Sequence, residues 1–181
     1  MQDALLVVDM QVDFCQGGAL AAYDTESVIE EVNKLIDEYS AEGRLVIFTR
    51  DWHPENHCSF RDFGGQWPAH CVKDTRGAQL HPALVIPDCH LLVSKANEPD
   101  KEAYSGFDST GLDRLLKNLG ISSLEVCGIA TEYCVRSSVE DAVRLGYKVE
   151  VNKKAIRPVI PGSPEENNAL EKFQELGVGI T

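Results

Sequence analysis

The sequence predicts an α/β fold, with three α/β/α layers around a six-stranded, mostly parallel sheet of Rossmann-like type. Short apolar runs alternate along the chain with longer segments whose apolar residues recur at helical spacing. This alternation is typical of parallel strands joined by covering helices. The 181 residues are 43% hydrophobic and 25% charged, which allows one substantial core. We therefore expect a single domain over residues 1–181.

Six short apolar runs are the predicted strands. Each is rich in Leu, Val or Ile, as in strands that are buried on both faces of a sheet. In chain order, they cover residues 5–8, 45–48, 91–93, 124–129, 147–151 and 178–180. A helical segment follows most of them, which supports the parallel arrangement.

Four segments have the spacing of amphipathic helices, with apolar residues three and four positions apart. In chain order, they cover residues 25–42, 112–119, 132–145 and 165–176. Thr25 is the expected N-cap of the first helix, because its hydroxyl can accept a hydrogen bond from a free N–H of the first turn. Glycines are the expected stops of the first three helices, at Gly43, Gly120 and Gly146.

Reactive side chains stand at the carboxyl ends of the predicted strands. Asp9 ends the first strand, Asp51 follows the second, and Lys95 ends the third. Cys134 lies just past the fourth strand, in the first turn of a helix. In open parallel sheets, ligands bind beyond these strand ends. We therefore expect the four side chains to share one cleft.

Cys134 is the candidate nucleophile. The start of a helix favours the thiolate through the helix dipole, and its free N–H groups can bind an oxyanion. Asp9 could accept the thiol proton as general base, and Lys95 could supply positive charge. The structural alternative is a small buried cysteine that packs a helix, with a solvated carboxylate and a solvated lysine elsewhere.

A second cluster lies in the segment 50–87, which shows no regular period and is too long for an idle connection. Asp51, His53 and His57 fall within seven residues, and His70 follows. Imidazole and carboxylate together suit zinc, iron(II) or manganese(II). The neighbouring Cys58 and Cys71 are alternative zinc ligands, but we favour the His/Asp set, because thiolates beside a reactive cysteine invite oxidation.

Composition excludes several classes of partner. The formal net charge of −12 repels phosphate backbones and anionic lipid, so we expect neither nucleic acid nor a membrane as partner. The start of the chain, residues 1–4, has no basic region ahead of its short apolar run. We therefore expect a cytoplasmic protein whose six cysteines are reduced. Whether it forms a homo-oligomer is left open.

Three motifs resemble those of the isochorismatase-like cysteine hydrolases: Asp-Met-Gln-Val-Asp-Phe at residues 9–14, the lysine at 95, and Ile-Ala-Thr-Glu-Tyr-Cys-Val at 129–135. Within that family, the segments at 51–60, 67–71 and 103–107 resemble the nicotinamidases, also called pyrazinamidases. The resemblance covers essentially the whole chain. It implies the same six-stranded fold as the alternation of strands and helices.

The resemblance also implies roles for individual residues. The catalytic triad would be Asp9, Lys95 and Cys134, with the N–H groups of Ala130 and Cys134 as the oxyanion hole. The ligands of one divalent metal, expected to be zinc with iron or manganese as alternatives, would be Asp51, His53, His57 and His70. The substrate would contact Phe14, Trp67, Tyr104, Ile129 and Ala130. The peptide bond between Ile129 and Ala130 is expected to be cis.

The activity implied by the resemblance is hydrolysis of nicotinamide to nicotinic acid and ammonia through a cysteine thioester, in NAD salvage, with pyrazinamide as a further substrate. Departures from the family pattern at Val12, Ala96 and Glu132 leave the fine substrate preference open. Three alternatives remain: a related hydrolase of N-carbamoyl or ureido amides, a metallohydrolase in which metal-bound water attacks, and a metal-binding or regulatory protein of this fold without enzymatic activity.

Overall fold

The computed structural model describes residues 2–181 and contains one six-stranded sheet. Met1, which begins the N-terminal stretch considered above, lies outside the described residues. The strands are β1 Gln2–Val8, β2 Leu45–Asp51, β3 His90–Lys95, β4 Ile121–Ile129, β5 Lys148–Arg157 and β6 Gly179–Ile180. Their spatial order is β3-β2-β1-β4-β5-β6, and every neighbouring pair is parallel. The predicted six-stranded parallel sheet is confirmed.

Helices cover both faces of the sheet, which confirms the three predicted layers. They are α1 Thr25–Ala41, α2 Leu112–Asn118, α3 Arg136–Arg144 and α4 Pro164–Glu175. Alternate residues of β1 point to opposite faces, so Leu5 packs in a core with α1, whereas Leu6 packs in a second core with α2, α3 and α4. Among residues 2–181, no helix combines the length and apolarity needed to cross a bilayer.

Several element boundaries differ from the prediction. The prediction ended β2 at Phe48, but the strand continues through Thr49 to Asp51, because Asp51 still pairs with Lys95 of β3. Polar residues therefore lie inside a strand that hydrophobicity alone would end. The strand β5 likewise runs to Arg157, past a register shift against β4.

The first turns of two helices also differ from the prediction. The N-cap of α1 is Asp24, in a left-handed conformation with φ 45°, and Thr25 is the first helical residue. The Thr25 hydroxyl instead accepts a hydrogen bond from the N–H of Gln16, at 2.9 Å. The segment predicted as one helix from Glu132 begins with a π-helical turn, Thr131–Val135, which holds Cys134. Such turns often occur at functional sites.

The strand order explains where a site can form. Moving from β1, the chain adds β2 and β3 on one side of the sheet, and then β4, β5 and β6 on the other. The order in which strands are added therefore reverses between β1 and β4. Open α/β sheets bind ligands at such a point. The residues after these two strands, together with the paired ends of β2 and β3, therefore meet at one edge.

Candidate active site

A buried lysine lies at the centre of the site. The Lys95 Nζ is 2.9 Å from Asp9 Oδ2, 2.5 Å from Asp51 Oδ1 and 3.4 Å from Cys134 Sγ. All four residues are buried. The structure thus brings together the side chains that the sequence placed at four strand ends, and it excludes a solvated surface position for Asp9 or Lys95.

Backbone geometry positions each of these groups. Asp9 directly follows β1 and has a positive φ of 48°, which is uncommon for a residue other than glycine and marks the point where the chain leaves the strand. Lys95 and Asp51 are register partners at the ends of β3 and β2, so their side chains lie on the same face. Cys134 follows a peptide bond between Ile129 and Ala130 that is cis, as the resemblance implied.

Lys95 and Asp51 are the members of this buried group that favour their charged forms. Burial opposes the charged form of Lys95, but the Asp51 and Asp9 carboxylates outweigh it and hold the lysine pKa well above its usual range. Burial would raise the pKa of Asp51, yet the Lys95 ammonium lowers it below the ordinary value. Lys95 and Asp51 therefore form a buried ion pair.

Burial raises the pKa of both the candidate nucleophile, Cys134, and the candidate base, Asp9. Burial raises the pKa of the Cys134 thiol well above its usual range, although Lys95 opposes the shift. Burial thus opposes the effect expected of the helix start and favours the thiol form of Cys134. Burial also raises the pKa of Asp9, against the effect of Lys95. Ligand atoms of Asp9 and Cys134 lie within 4.8 Å of each other, and a more basic carboxylate beside a thiol suits general base catalysis.

Thr49 is a functional neighbour that the sequence analysis missed. Its Oγ1 donates to Asp9 Oδ1 at 2.6 Å and accepts from the Asp9 N–H at 3.2 Å. This leaves Asp9 Oδ2 facing Lys95. A signal was present in the sequence, because Thr49 is the hydroxyl residue two positions before Asp51, on the same face of β2. Ending the strand at Phe48 hid it.

Three of the four predicted metal ligands form a close group. Potential ligand atoms of Asp51, His53 and His70 lie within 4.8 Å of one another, and all three residues are buried. The His53 Nδ1 lies 3.0 Å from the Ala96 carbonyl oxygen and the His70 Nδ1 lies 2.7 Å from that of Pro68. Because a carbonyl only accepts, each Nδ1 carries the proton and each Nε2 keeps its lone pair.

This group fits a metal ion. The His53 Nε2 is buried, is 3.6 Å from Asp51 Oδ2, and has no hydrogen-bond partner in the part of the chain that the structure describes. Burial lowers the pKa of His70, which keeps that imidazole neutral as a ligand must be. A buried lone pair beside a carboxylate and a second imidazole is the donor set of a divalent transition metal.

The prediction placed His57 with these ligands, but the structure engages both of its ring nitrogens elsewhere. The His57 Nε2 lies 3.1 Å from the Lys101 carbonyl oxygen. The His57 Nδ1 accepts from the Ser59 N–H at 3.3 Å and lies 2.7 Å from its hydroxyl. The ring still packs against His53, with centroids 4.1 Å apart. Within residues 2–181, neither Cys58 nor Cys71 belongs to a group of close ligand atoms.

An aromatic cavity of about 510 Å³, mouth included, opens onto Cys134 and Asp51. The predicted substrate contacts Phe14, Trp67 and Tyr104 line it, as do Ile129 and Ala130. The Trp67 indole N–H donates to the Tyr104 hydroxyl at 3.1 Å, which fixes both rings. The cavity is also lined by residues that sequence reasoning missed, namely Leu20, Ala22, Glu102, Tyr133 and Val159.

The fold and this site define the class of protein. Residues 3–179 match the Isochorismatase domain family, and the chain belongs to that family. It is 41% identical to the nicotinamidase of Escherichia coli, over 98% of this chain and 93% of the relative.

Solved structures agree with this family assignment. The pyrazinamidase of Pyrococcus horikoshii in complex with zinc superposes with a TM-score of 0.95 at 44% identity, over 100% of this chain and 99% of that one. The L. infantum protein PnC1 in complex with nicotinate superposes with a TM-score of 0.89 at 32% identity, over 99% and 92% of the two chains. The predicted isochorismatase-like fold is confirmed.

Proposed function

We propose that this protein is a metal-dependent amidohydrolase that converts nicotinamide to nicotinic acid and ammonia, and that it also accepts pyrazinamide. One observation carries the proposal: the Lys95 ammonium contacts the base Asp9, the nucleophile Cys134 and the candidate metal ligand Asp51 at once. The covalent and metal-binding groups therefore serve one cavity. The names of the E. coli and P. horikoshii relatives support this choice of substrates.

The covalent step uses Asp9 as the base and Cys134 as the nucleophile. Asp9 accepts the proton of the Cys134 thiol, and the thiolate attacks the amide carbon. The N–H groups of Ala130 and Cys134 stabilise the oxyanion, with Lys95 nearby as the positive charge. Asp9 then gives its proton to the departing nitrogen, and ammonia leaves. Water hydrolyses the thioester, with Asp9 moving a proton from the water to the sulfur.

The residues Asp51, His53 and His70 would hold the metal, expected to be zinc, with iron(II) or manganese(II) as alternatives. When bound, the metal supplies a Lewis acid that can hold a pyridine nitrogen and orient the carboxamide toward Cys134. His57 supports this group through its packing on His53 rather than as a ligand. Phe14, Trp67 and Tyr104 would enclose the aromatic ring.

The setting of the reaction is also a proposal. All six cysteines are free thiols, which suits a reducing compartment and a cysteine nucleophile. Deamidation of nicotinamide returns the pyridine ring to the synthesis of NAD. We therefore propose a cytoplasmic role in NAD salvage.

Release of ammonia from nicotinamide tests the proposal. The purified protein should release it, lose the activity on chelation, and regain it with zinc, iron(II) or manganese(II). Cys134→Ala should lower kcat at least about 10³-fold, because the nucleophile is removed, while metal content stays unchanged. Substantial activity in that variant would favour attack by metal-bound water. Faster release from N-carbamoyl or ureido amides than from nicotinamide would overturn the proposed substrate.

A further inference from the structure

Gln11 is a buried amide in the first-strand motif that the proposed chemistry leaves unused. Its Oε1 accepts from the Asp51 N–H at 2.7 Å. Its Nε2 donates to the Asp51 carbonyl at 2.8 Å and to the Ala78 carbonyl at 2.9 Å. Both N–H donors and the carbonyl acceptor are therefore used. The two bonds to Asp51 are those that the backbone of a neighbouring strand would make.

The sheet explains why Asp51 requires such a partner. The strands β1 and β2 pair from Ala4 with Leu45 up to Val7 with Phe48. The chain then leaves the sheet at Asp9, while β2 continues to Asp51. The β3 side of Asp51 is paired with Lys95, but its β1 side has lost its strand. Buried backbone groups require partners, and the Gln11 amide replaces the missing strand.

We propose that Gln11 is a positioning residue that holds the Asp51 carboxylate between the lysine and the metal site. Asp51 Oδ1 is 2.5 Å from Lys95 Nζ, and Asp51 Oδ2 is 3.6 Å from His53 Nε2. A shift of the Asp51 backbone would therefore disturb both groups at once. Gln11 follows Asp9 by two residues, so the same turn carries the base and fixes the metal ligand. Its catalytic meaning rests on the proposed function, whereas its effect on metal binding does not.

Asn33 offers a control in the same chain for the possibility that Gln11 only anchors the loop. Asn33 of α1 also uses its side-chain amide to bind backbone groups of the long loop. Its Nδ2 donates to the Ala83 carbonyl at 2.8 Å, and its Oδ1 accepts from the Val85 N–H at 2.8 Å. Asn33 has no bond to Asp51, so it reports the loss of loop anchoring alone.

Gln11→Glu and Asn33→Asp are isosteric changes that replace an amide donor with a carboxylate. Gln11→Met supplies an uncharged variant, so that charge and lost hydrogen bonds can be separated. Each protein would be stripped of metal and titrated with Co²⁺, recording its affinity, its visible ligand-field spectrum and its unfolding in urea. We expect both Gln11 variants to bind Co²⁺ about 10–100-fold more weakly, as when other supporting partners of a ligand are lost, with altered bands. Asn33→Asp should keep the spectrum and affinity of the unaltered protein.

Unchanged Co²⁺ affinity and bands in the folded Gln11 variants would overturn the proposal, as would a lack of Co²⁺ binding by the unaltered protein. Should Gln11→Glu fail to fold, Gln11→Met decides. A protein that bound Co²⁺ in this way but released no ammonia from nicotinamide would refute the proposed function and leave the role of Gln11 standing.

Discussion

At the scale of single residues, Lys95 has the most demanding environment. Its side chain is fully buried and is stabilised in its charged form by Asp51 and Asp9. A buried charge is tolerated only where partners satisfy it. The same contacts place the ammonium 3.4 Å from the Cys134 sulfur, where it would stabilise the thiolate as it forms. Structural and chemical roles therefore coincide in one side chain.

Lys95→Met should destabilise the protein by about 3–5 kcal/mol at pH 7, because it leaves two buried carboxylates without their cation. Without the ammonium, the pKa values of Asp9 and Asp51 rise, and both carboxyls bind protons more readily. The deficit relative to the unaltered protein should therefore shrink as the pH falls from 7 to 5. Urea unfolding at both pH values measures it. Lys34→Met, at an exposed pair with Glu31, is the control and should change little.

At the scale of elements, the loop after β2 decides which imidazoles can reach the metal site. His53 forms a bridge with Val72, which holds the two sides of the loop together next to His70. The Asp13 carboxylate accepts from the Cys71 N–H at 2.7 Å and fixes the residue after His70. His57 lies in a turn whose own groups bind its ring. The spacing of the histidines along the sequence could not distinguish His57 from His53 and His70.

His70→Asn should therefore weaken zinc binding by more than about 100-fold, whereas His57→Asn should weaken it by less than about tenfold. The physical reason is that His70 keeps a free lone pair beside Asp51, while both nitrogens of His57 are occupied. Competition with a chromophoric chelator measures the affinities, and His81→Asn controls for the loss of any loop imidazole. Equal losses in the His57 and His70 variants would restore the four-ligand set.

The approach of β4 to β1 is a second constraint at this scale. Gly128 has φ 109° and pairs with Val8, the residue before Asp9. A Cβ at Gly128 would overlap the Val8 carbonyl oxygen, and neither backbone can move without opening the sheet. Only glycine allows this approach.

Gly128→Ala should lower the free energy of unfolding by about 3 kcal/mol or more and displace Asp9, which lowers kcat further. Gly146→Ala is the matched control, because Gly146 also has positive φ, at 94°, but a Cβ there meets no atom within 4 Å. It should cost about 1–2 kcal/mol from backbone strain alone and leave kcat unchanged. Urea unfolding measures the free energy of unfolding of both variants. Similar decreases in the two would rule out the overlap at Val8.

At the scale of the whole molecule, buried thiols link stability to pH. Burial raises the pKa of Cys15 to about 11 and that of Cys127 well above its usual range. Neither has a part in the proposed chemistry. In the unfolded chain both thiols ionise near their ordinary pKa of about 8.5. The folded protein keeps protons that the unfolded chain releases, so stability falls as the pH rises through this window.

The free energy of unfolding should thus decrease between pH 8.5 and pH 11, with a slope that approaches about 1.4 kcal/mol per pH unit for each thiol. Urea unfolding at several pH values measures this slope. We expect residues 1–181 to unfold as one cooperative domain. Replacing Cys15 and Cys127 by Ala should reduce this slope by the share of two thiols, because the buried thiols of Cys71 and Cys134, whose pKa values are also raised, remain. Cys89→Ala, at an exposed thiol, should leave the slope unaltered.

The sequence by itself determined the alternation of strands and helices, the parallel sheet, and the positions of Asp9, Lys95 and Cys134 at strand ends. These are properties of local periodicity and chain order, which short-range sterics and burial impose. Only the tertiary structure decided that both ring nitrogens of His57 contact groups other than Asp51, His53 and His70, that burial favours the thiol form of Cys134, and which side chains support the site. Thr49 meets Asp9, and Gln11 meets Asp51, across 40 residues of chain. Contacts between residues so far apart in sequence depend on how the strands pack together, and a local sequence pattern does not predict that packing.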